Sequence, residues 1–172
     1  YPQGVSSAAA RLRYYAGQFD TVEVDSTYYG LPHPETAARW AELSFVAVTD
    51  HNVCGGALEA VGLARARDLV VIPGEEVKTD TQGEVIGLFL EEEIPPGRSF
   101  ADTIEAIREQ GGLVYVPHPF DRLHTSPDPA PLHRHLAEID VFEVFNARLL
   151  RDSFNDEALR FARKYRLLQG AG

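Results

Sequence analysis

Three short stretches of the chain place residues that bind metal ions directly after apolar runs: Thr49-Asp50-His51-Asn52, Pro73-Gly74-Glu75-Glu76 and Pro117-His118-Pro119. Neutral imidazole suits zinc, manganese and iron, and a carboxylate can bridge two such ions. A His, Glu, His set brought to one place would therefore hold divalent metals. Ions held there would bind phosphate oxygens and lower the pKa of a bound water toward neutrality. A histidine taken singly is more often a surface or hydrogen-bonded core residue than a ligand. On that ground His33, His124, His133 and His135 are assigned to loops and solvated faces. His51 and His118 stand apart because each closely follows a continuous apolar strand.

For these residues to meet, the elements carrying them must end on a common rim. Short β-branched runs alternate with helical stretches, the pattern of βαβ units around a parallel sheet. The expected strands are residues 21–24, 45–48, 69–72, 113–116 and 141–144, and amphipathic segments lie near 7–19, 34–43, 56–67, 99–110, 132–137 and 154–165. Residues 83–90 break the alternation. They follow the third strand after the polar turn Asp80-Thr81-Gln82 and read as a hairpin arm. Ser99 followed by Asp102 marks a helix N-cap, and Gly111-Gly112 ends that helix. Pro127, Pro129 and Pro131 predict an irregular loop over residues 124–131. In a barrel or open parallel sheet the groups that do chemistry sit where strands pass into loops. Here the strands run into His51, Glu76 and His118, with Asn146 just past the fourth.

With 172 residues, 44% of them hydrophobic and 24% charged, the chain has the size and composition of one globular α/β domain. A formal net charge of -10 works against attraction to a phosphate backbone, so nucleic acid is not favoured as a partner. No apolar run has the length of a bilayer span and the first residues lack the pattern of a signal peptide, so a cytoplasmic protein without a membrane partner is expected. The lone Cys54 cannot form an internal disulfide and reads as a small buried residue at a helix start. The sequence contains no methionine, which suggests that Tyr1 is not a native translation start and that the chain is a fragment, a processed product or an engineered piece.

The three stretches, the last taken as Val116-Pro117-His118-Pro119-Phe120-Asp121-Arg122, resemble the second, third and fourth motifs of the PHP (polymerase and histidinol phosphatase) superfamily of metal-dependent phosphoesterases. The similarity extends through residues 83–90, 110–112 and 143–148, and so covers residues 44–172. It implies a barrel-like (β/α) fold and a hydrolase that cleaves a phosphorylated small molecule with metal-bound hydroxide, using Zn, Mn or Fe. Carried over residue by residue, His51, Glu76 and His118 match metal ligands, with Glu76 as the bridging carboxylate and Glu75 facing away. Asp50 would orient a metal-bound imidazole or add a ligand. Asn146 and Arg122 would lie near a phosphate or water, although Arg122 fits a surface ion pair equally well.

The family's opening His-x-His strand and closing Gly-Ser-Asp-Ala-His strand are not present in residues 1–172. The expected barrel is therefore incomplete, with an exposed sheet edge through which copies could associate. Residues 1–43 instead resemble the opening of the YecE-type family of uncharacterised TIM-barrel proteins. The similarity rests on Tyr14-Tyr15, the run from Phe19 to Tyr29, Leu31-Pro32 and Arg39-Trp40, and places a joint near Leu43-Ser44. Glu23 and Asp25, two apart in a strand, share a face where the PHP family places its two histidines. They would either replace those imidazoles as metal ligands or belong to a barrel rim that touches no metal. Two functional readings follow: a phosphoesterase, or a non-catalytic chimeric barrel fragment with weak residual metal binding.

Overall fold

A computed structural model describes residues 45–65, 69–121, 126–146 and 148–172, together with the backbone of Thr21–Val24. In chain order the described elements are β1 (Thr21–Val24), β2 (Phe45–Val48), α1 (Gly55–Ala64), β3 (Val70–Lys78), β4 (Glu84–Leu88), α2 (Phe100–Glu109), β5 (Leu113–Val116), α3 (Pro129–Arg134), a 3-10 turn (Leu136–Glu138), β6 (Val141–Phe145), α4 (Asp152–Tyr165) and β7 (Leu168–Ala171). The strands form one sheet in the order β1-β2-β3-β4-β5-β6-β7. Neighbours are parallel except at β3–β4 and β4–β5, which are antiparallel. A sheet whose spatial order equals its chain order, flanked by helices, curls in one direction, and the result is the open, barrel-like α/β fold expected from the alternation of elements.

Helices cover one face of this sheet. The apolar stripe of α2 buries Phe100, Ile104 and Ile107 against β4 and β5, and α4 packs on β6 through Ala158 and Ala162. Each large aliphatic or aromatic side chain removed from water in this layer contributes roughly 1.5–3 kcal/mol. Local signals fix the helix ends. Ser99 Oγ accepts the Asp102 N–H at 3.1 Å while its own hydroxyl donates to Asp102 Oδ2 at 2.7 Å, a reciprocal N-cap. Gly111, at φ +73°, closes the C-terminal end with its N–H on the Arg108 carbonyl. Cys54 lies at the N-cap of α1 and is fully buried. No described helix is long and apolar enough to cross a membrane.

Three elements differ from the sequence-based expectation. The third strand does not stop at Ile72 but continues through Pro73 and Gly74 to Lys78. It does so by changing partners: residues 70–73 pair with β2, and from Gly74 onward the strand pairs antiparallel with β4. Proline is tolerated at this exchange of partners, and its carbonyl accepts Leu90 N–H at 3.1 Å. Second, Pro129 and Pro131 lie within α3 rather than in a loop, because a helix's first turn does not need their missing N–H groups. Third, residues 168–171 form a seventh strand, β7, parallel to β6. The expected helices at 7–19 and 34–43 lie outside the described residues.

Gly74 is required where β3 changes partners, since a Cβ there would lie 2.6 Å from the Gly87 carbonyl oxygen and 2.9 Å from Thr49 Cγ2. Backbone of the adjacent strand cannot yield as a side-chain tip can. Gly74→Ala should therefore lower unfolding free energy by about 1–3 kcal/mol in urea titrations, the usual cost of overpacking; an unchanged midpoint would show that β3 and β4 are not so closely apposed.

Candidate metal centre

β3 carries two adjacent glutamates whose side chains must point to opposite faces. In the antiparallel ladder Glu76 lies opposite Ile86 and Lys78 opposite Glu84, so Glu76 and Glu84 share a face. Glu75 projects to the other, helix-covered face with Val77 and Val85. The chain after β2 runs alongside this point. Glu76 N–H donates to the Asp50 carbonyl and Asn52 N–H donates to the Glu76 carbonyl, each at 3.1 Å, which makes an isolated parallel bridge between His51 and Glu76. Asn52 adopts a left-handed φ of +56° and accepts Lys78 N–H on Oδ1 at 2.8 Å, holding the turn that presents His51. His118 arrives from the end of β5, also with a positive φ, +27°.

The result is a four-residue cluster with a regular pattern of contacts. Glu76 places Oε1 3.3 Å from His118 Nε2 and Oε2 3.4 Å from His51 Nε2. Glu84 places Oε2 3.5 Å from His118 Nε2 and Oε1 3.5 Å from His51 Nδ1. Each carboxylate thus offers one oxygen to each imidazole. The mixed nitrogen and oxygen donor types suit a divalent metal. One ligand atom each from His51, Glu76 and Glu84 lie within 4.8 Å of one another. Without an ion the contacts of His118 with the two carboxylates act as ion pairs. Burial opposes the charged form of His118, but hydrogen bonds to Glu76 and Glu84 and the charges of Glu76 and Glu143 outweigh it and hold the imidazolium pKa up to about 10. Glu84 is correspondingly lowered, first by its hydrogen bond with His118.

The cluster opens into a cavity of about 250 Å³ whose lining includes His51, Glu76, Glu84, His118, Asn146 and Arg148. Asn146 Nδ2 donates to Glu143 Oε2 at 3.1 Å and its Oδ1 accepts Arg148 N–H at 2.9 Å. Burial pushes the Glu143 carboxyl upward, opposed by hydrogen bonds from His118 N–H and Asn146.

Of the residues singled out from sequence, His51, Glu76 and His118 are brought together, and Asn146 lies beside them. Asp50 is buried, with its carbonyl on Glu76 N–H. Glu76 sits within β3 rather than at a strand end, which corrects the strand-end reading. Arg122 and Asp25 lie outside the described residues. Glu23 is placed in β1 opposite Ala47, and its side chain is not described. His133 and His135 are remote: His133 bonds the Pro129 carbonyl and Tyr165 Oη, and His135 contacts Glu138. Sequence reasoning missed Glu84, because a glutamate opening a hairpin arm looks like a solvated charge. The available signal was the polar turn, which fixes the register that puts residue 84 beside residue 78.

A family described as a protein of unknown function, DUF72, matches residues 1–44. Two relatives are the uncharacterized proteins MJ1587 and MJ0417 of Methanocaldococcus jannaschii. The first is 44% identical over 112 residues, 64% of this chain and 62% of its own length. The second is 43% identical over 98 residues, 55% of this chain and 41% of its own. The chain thus spans less than two thirds of either relative. Among solved structures, a protein from Bifidobacterium adolescentis, provisionally named a metal-dependent phosphoesterase, superposes with a TM-score of 0.62 over 80% of this chain and 79% of its own at 15% identity. That likeness establishes the fold.

Glu75, on the far face, is buried beneath the 90–94 segment; its Oε2 accepts Ile94 N–H at 2.9 Å and its Oε1 has no hydrogen-bond partner among the described residues. Burial, with a smaller contribution from Glu93, raises its pKa from 4.5 to about 7, against the Ile94 hydrogen bond. The folded chain therefore holds this proton more tightly than the unfolded one, and stability falls as pH rises from 4.5 to about 7, then levels off. Glu75→Gln keeps the acceptor for Ile94 and removes the titration. Its stability advantage over wild type should grow across that window to about 3 kcal/mol in urea titrations; an advantage independent of pH would contradict the assignment.

Proposed function

We propose that the chain carries the metal centre of a phosphoesterase that hydrolyses a phosphorylated small molecule. The observation that carries this reading is the reciprocal contact pattern of His51, Glu76, Glu84 and His118, with one oxygen of each carboxylate directed at each imidazole at 3.3–3.5 Å. A divalent ion bound there would neutralise phosphate charge and acidify a water. His51 and His118 would contribute neutral donors, Glu76 and Glu84 the balancing charge, and buried Asp50 would support the loop that presents His51. Arg148, the one arginine among the described lining residues, would meet the anionic substrate at the mouth of the cavity. The roughly 250 Å³ volume suits a small ester, and the net charge of -10 disfavours a long polyanion. Zinc, manganese and iron all accept this mixed nitrogen and oxygen donor set.

In a second, non-catalytic reading the same residues bind metal without turnover. Purified chain loaded with Mn²⁺ or Zn²⁺ should hydrolyse p-nitrophenyl phosphate, and His118→Ala or Glu84→Ala should reduce turnover by at least 100-fold while lowering metal content. Metal uptake without turnover would select the second reading, and turnover surviving both substitutions would exclude the site.

A further inference from the structure

The main chain at His118 is held by a buried carboxylate from the next strand. Glu143, on β6 and 2% exposed, accepts the His118 N–H on Oε2 at 2.6 Å. The same oxygen accepts Asn146 Nδ2–H at 3.1 Å, and Oε1 accepts the Tyr115 hydroxyl at 3.1 Å. Both supports are themselves fixed. Asn146 N–H donates to Asn155 Oδ1 on α4 at 3.0 Å. The Tyr115 ring lies against Gly170 of β7, where an added Cβ would come within 2.5 Å of Cε2. His118 has a φ of +27°, a conformation a β-carbon disfavours, and such geometry persists only where its surroundings enforce it.

We propose that Glu143 is a positioning residue for the metal centre: by clamping the His118 N–H it enforces the left-handed turn that aims the imidazole at Glu76 and Glu84. This rests on the metal-site reading and adds a residue that acts through the backbone of a ligand rather than through its ring. The carboxylate of Glu143 need not touch an ion. Its work is done by geometry, so an amide of the same shape should replace it. In Glu143→Gln the carbonyl oxygen can still accept from His118 and Asn146 while the amide donates to the Tyr115 hydroxyl, which can accept. Glu143→Ala leaves a buried N–H without an acceptor and releases the turn.

The test is Mn²⁺ binding by titration calorimetry, with the visible spectrum of the Co²⁺-loaded chain as a report on ligand geometry. Glu143→Ala should weaken Mn²⁺ binding about 10–100-fold, the usual effect of removing a residue that orients a ligand, and change the Co²⁺ spectrum. Glu143→Gln should retain near wild-type values. Tyr115→Phe, which keeps the ring and removes only the hydroxyl, should show a smaller loss of the same sign and carries the test if the alanine variant does not fold. A folded Glu143→Ala with wild-type affinity, or Gln and Ala variants equally weakened, would overturn the proposal; a wild-type chain that binds no metal would instead overturn the metal reading beneath it.

Discussion

The structure depends on β3 doing two incompatible-looking things with adjacent residues. Glu75 must go into the helix-covered layer and Glu76 into the open face, and only an extended strand separates neighbours in this way. That strand is possible because β3 exchanges β2 for β4 as its partner at Pro73-Gly74. If it ended there, Glu76 would lie on a loop and would lose both main-chain bonds to the segment carrying His51. The strand exchange, the His51 turn and the position of Glu84 are consequences of one ladder.

Electrostatics then determines how the two faces behave. On the open face, two carboxylates are tolerated because two imidazoles stand between them, and their attraction outweighs the burial of His118. On the covered face no cation among the described residues offsets the burial of Glu75, and the same desolvation makes it hold a proton into the neutral range. Identical side chains one residue apart thus acquire different surroundings: Glu76 faces two imidazoles, and Glu75 is a buried acid anchoring the 90–94 segment. Around His118 the polar groups are organised further, with β5, β6, β7 and α4 each contributing a group that fixes the next.

Much of this was legible in the sequence where the signal was local. Apolar runs of four residues marked β2 and β5, and the histidines close behind them fell on the site. The Ser99 cap and the 80–82 turn depend only on neighbours in sequence. What was not legible depended on distant partners. Pro73-Gly74 looks like a stop unless the strand on the other side is known, so sequence alone ends β3 at Ile72 and leaves Glu76 beyond it. Glu84 acquires its place only through pairing with Lys78. Pro129 and Pro131 looked like loop residues because their permitted place in a helix's first turn is visible only once the helix is placed. Glu143 lay inside an otherwise apolar strand, and its role depends on the backbone of His118, 25 residues earlier.

The central claim is that the cluster of His51, Glu76, Glu84 and His118 is a binding site for divalent metal. Anomalous diffraction from crystals of the chain grown with Mn²⁺ or Zn²⁺ tests it most directly. The account predicts an anomalous peak within this cluster, at a bonding distance of roughly 2.0–2.2 Å from an imidazole nitrogen and from carboxylate oxygens. A map without a peak there, in which His118 remains an imidazolium paired with Glu76, would contradict it.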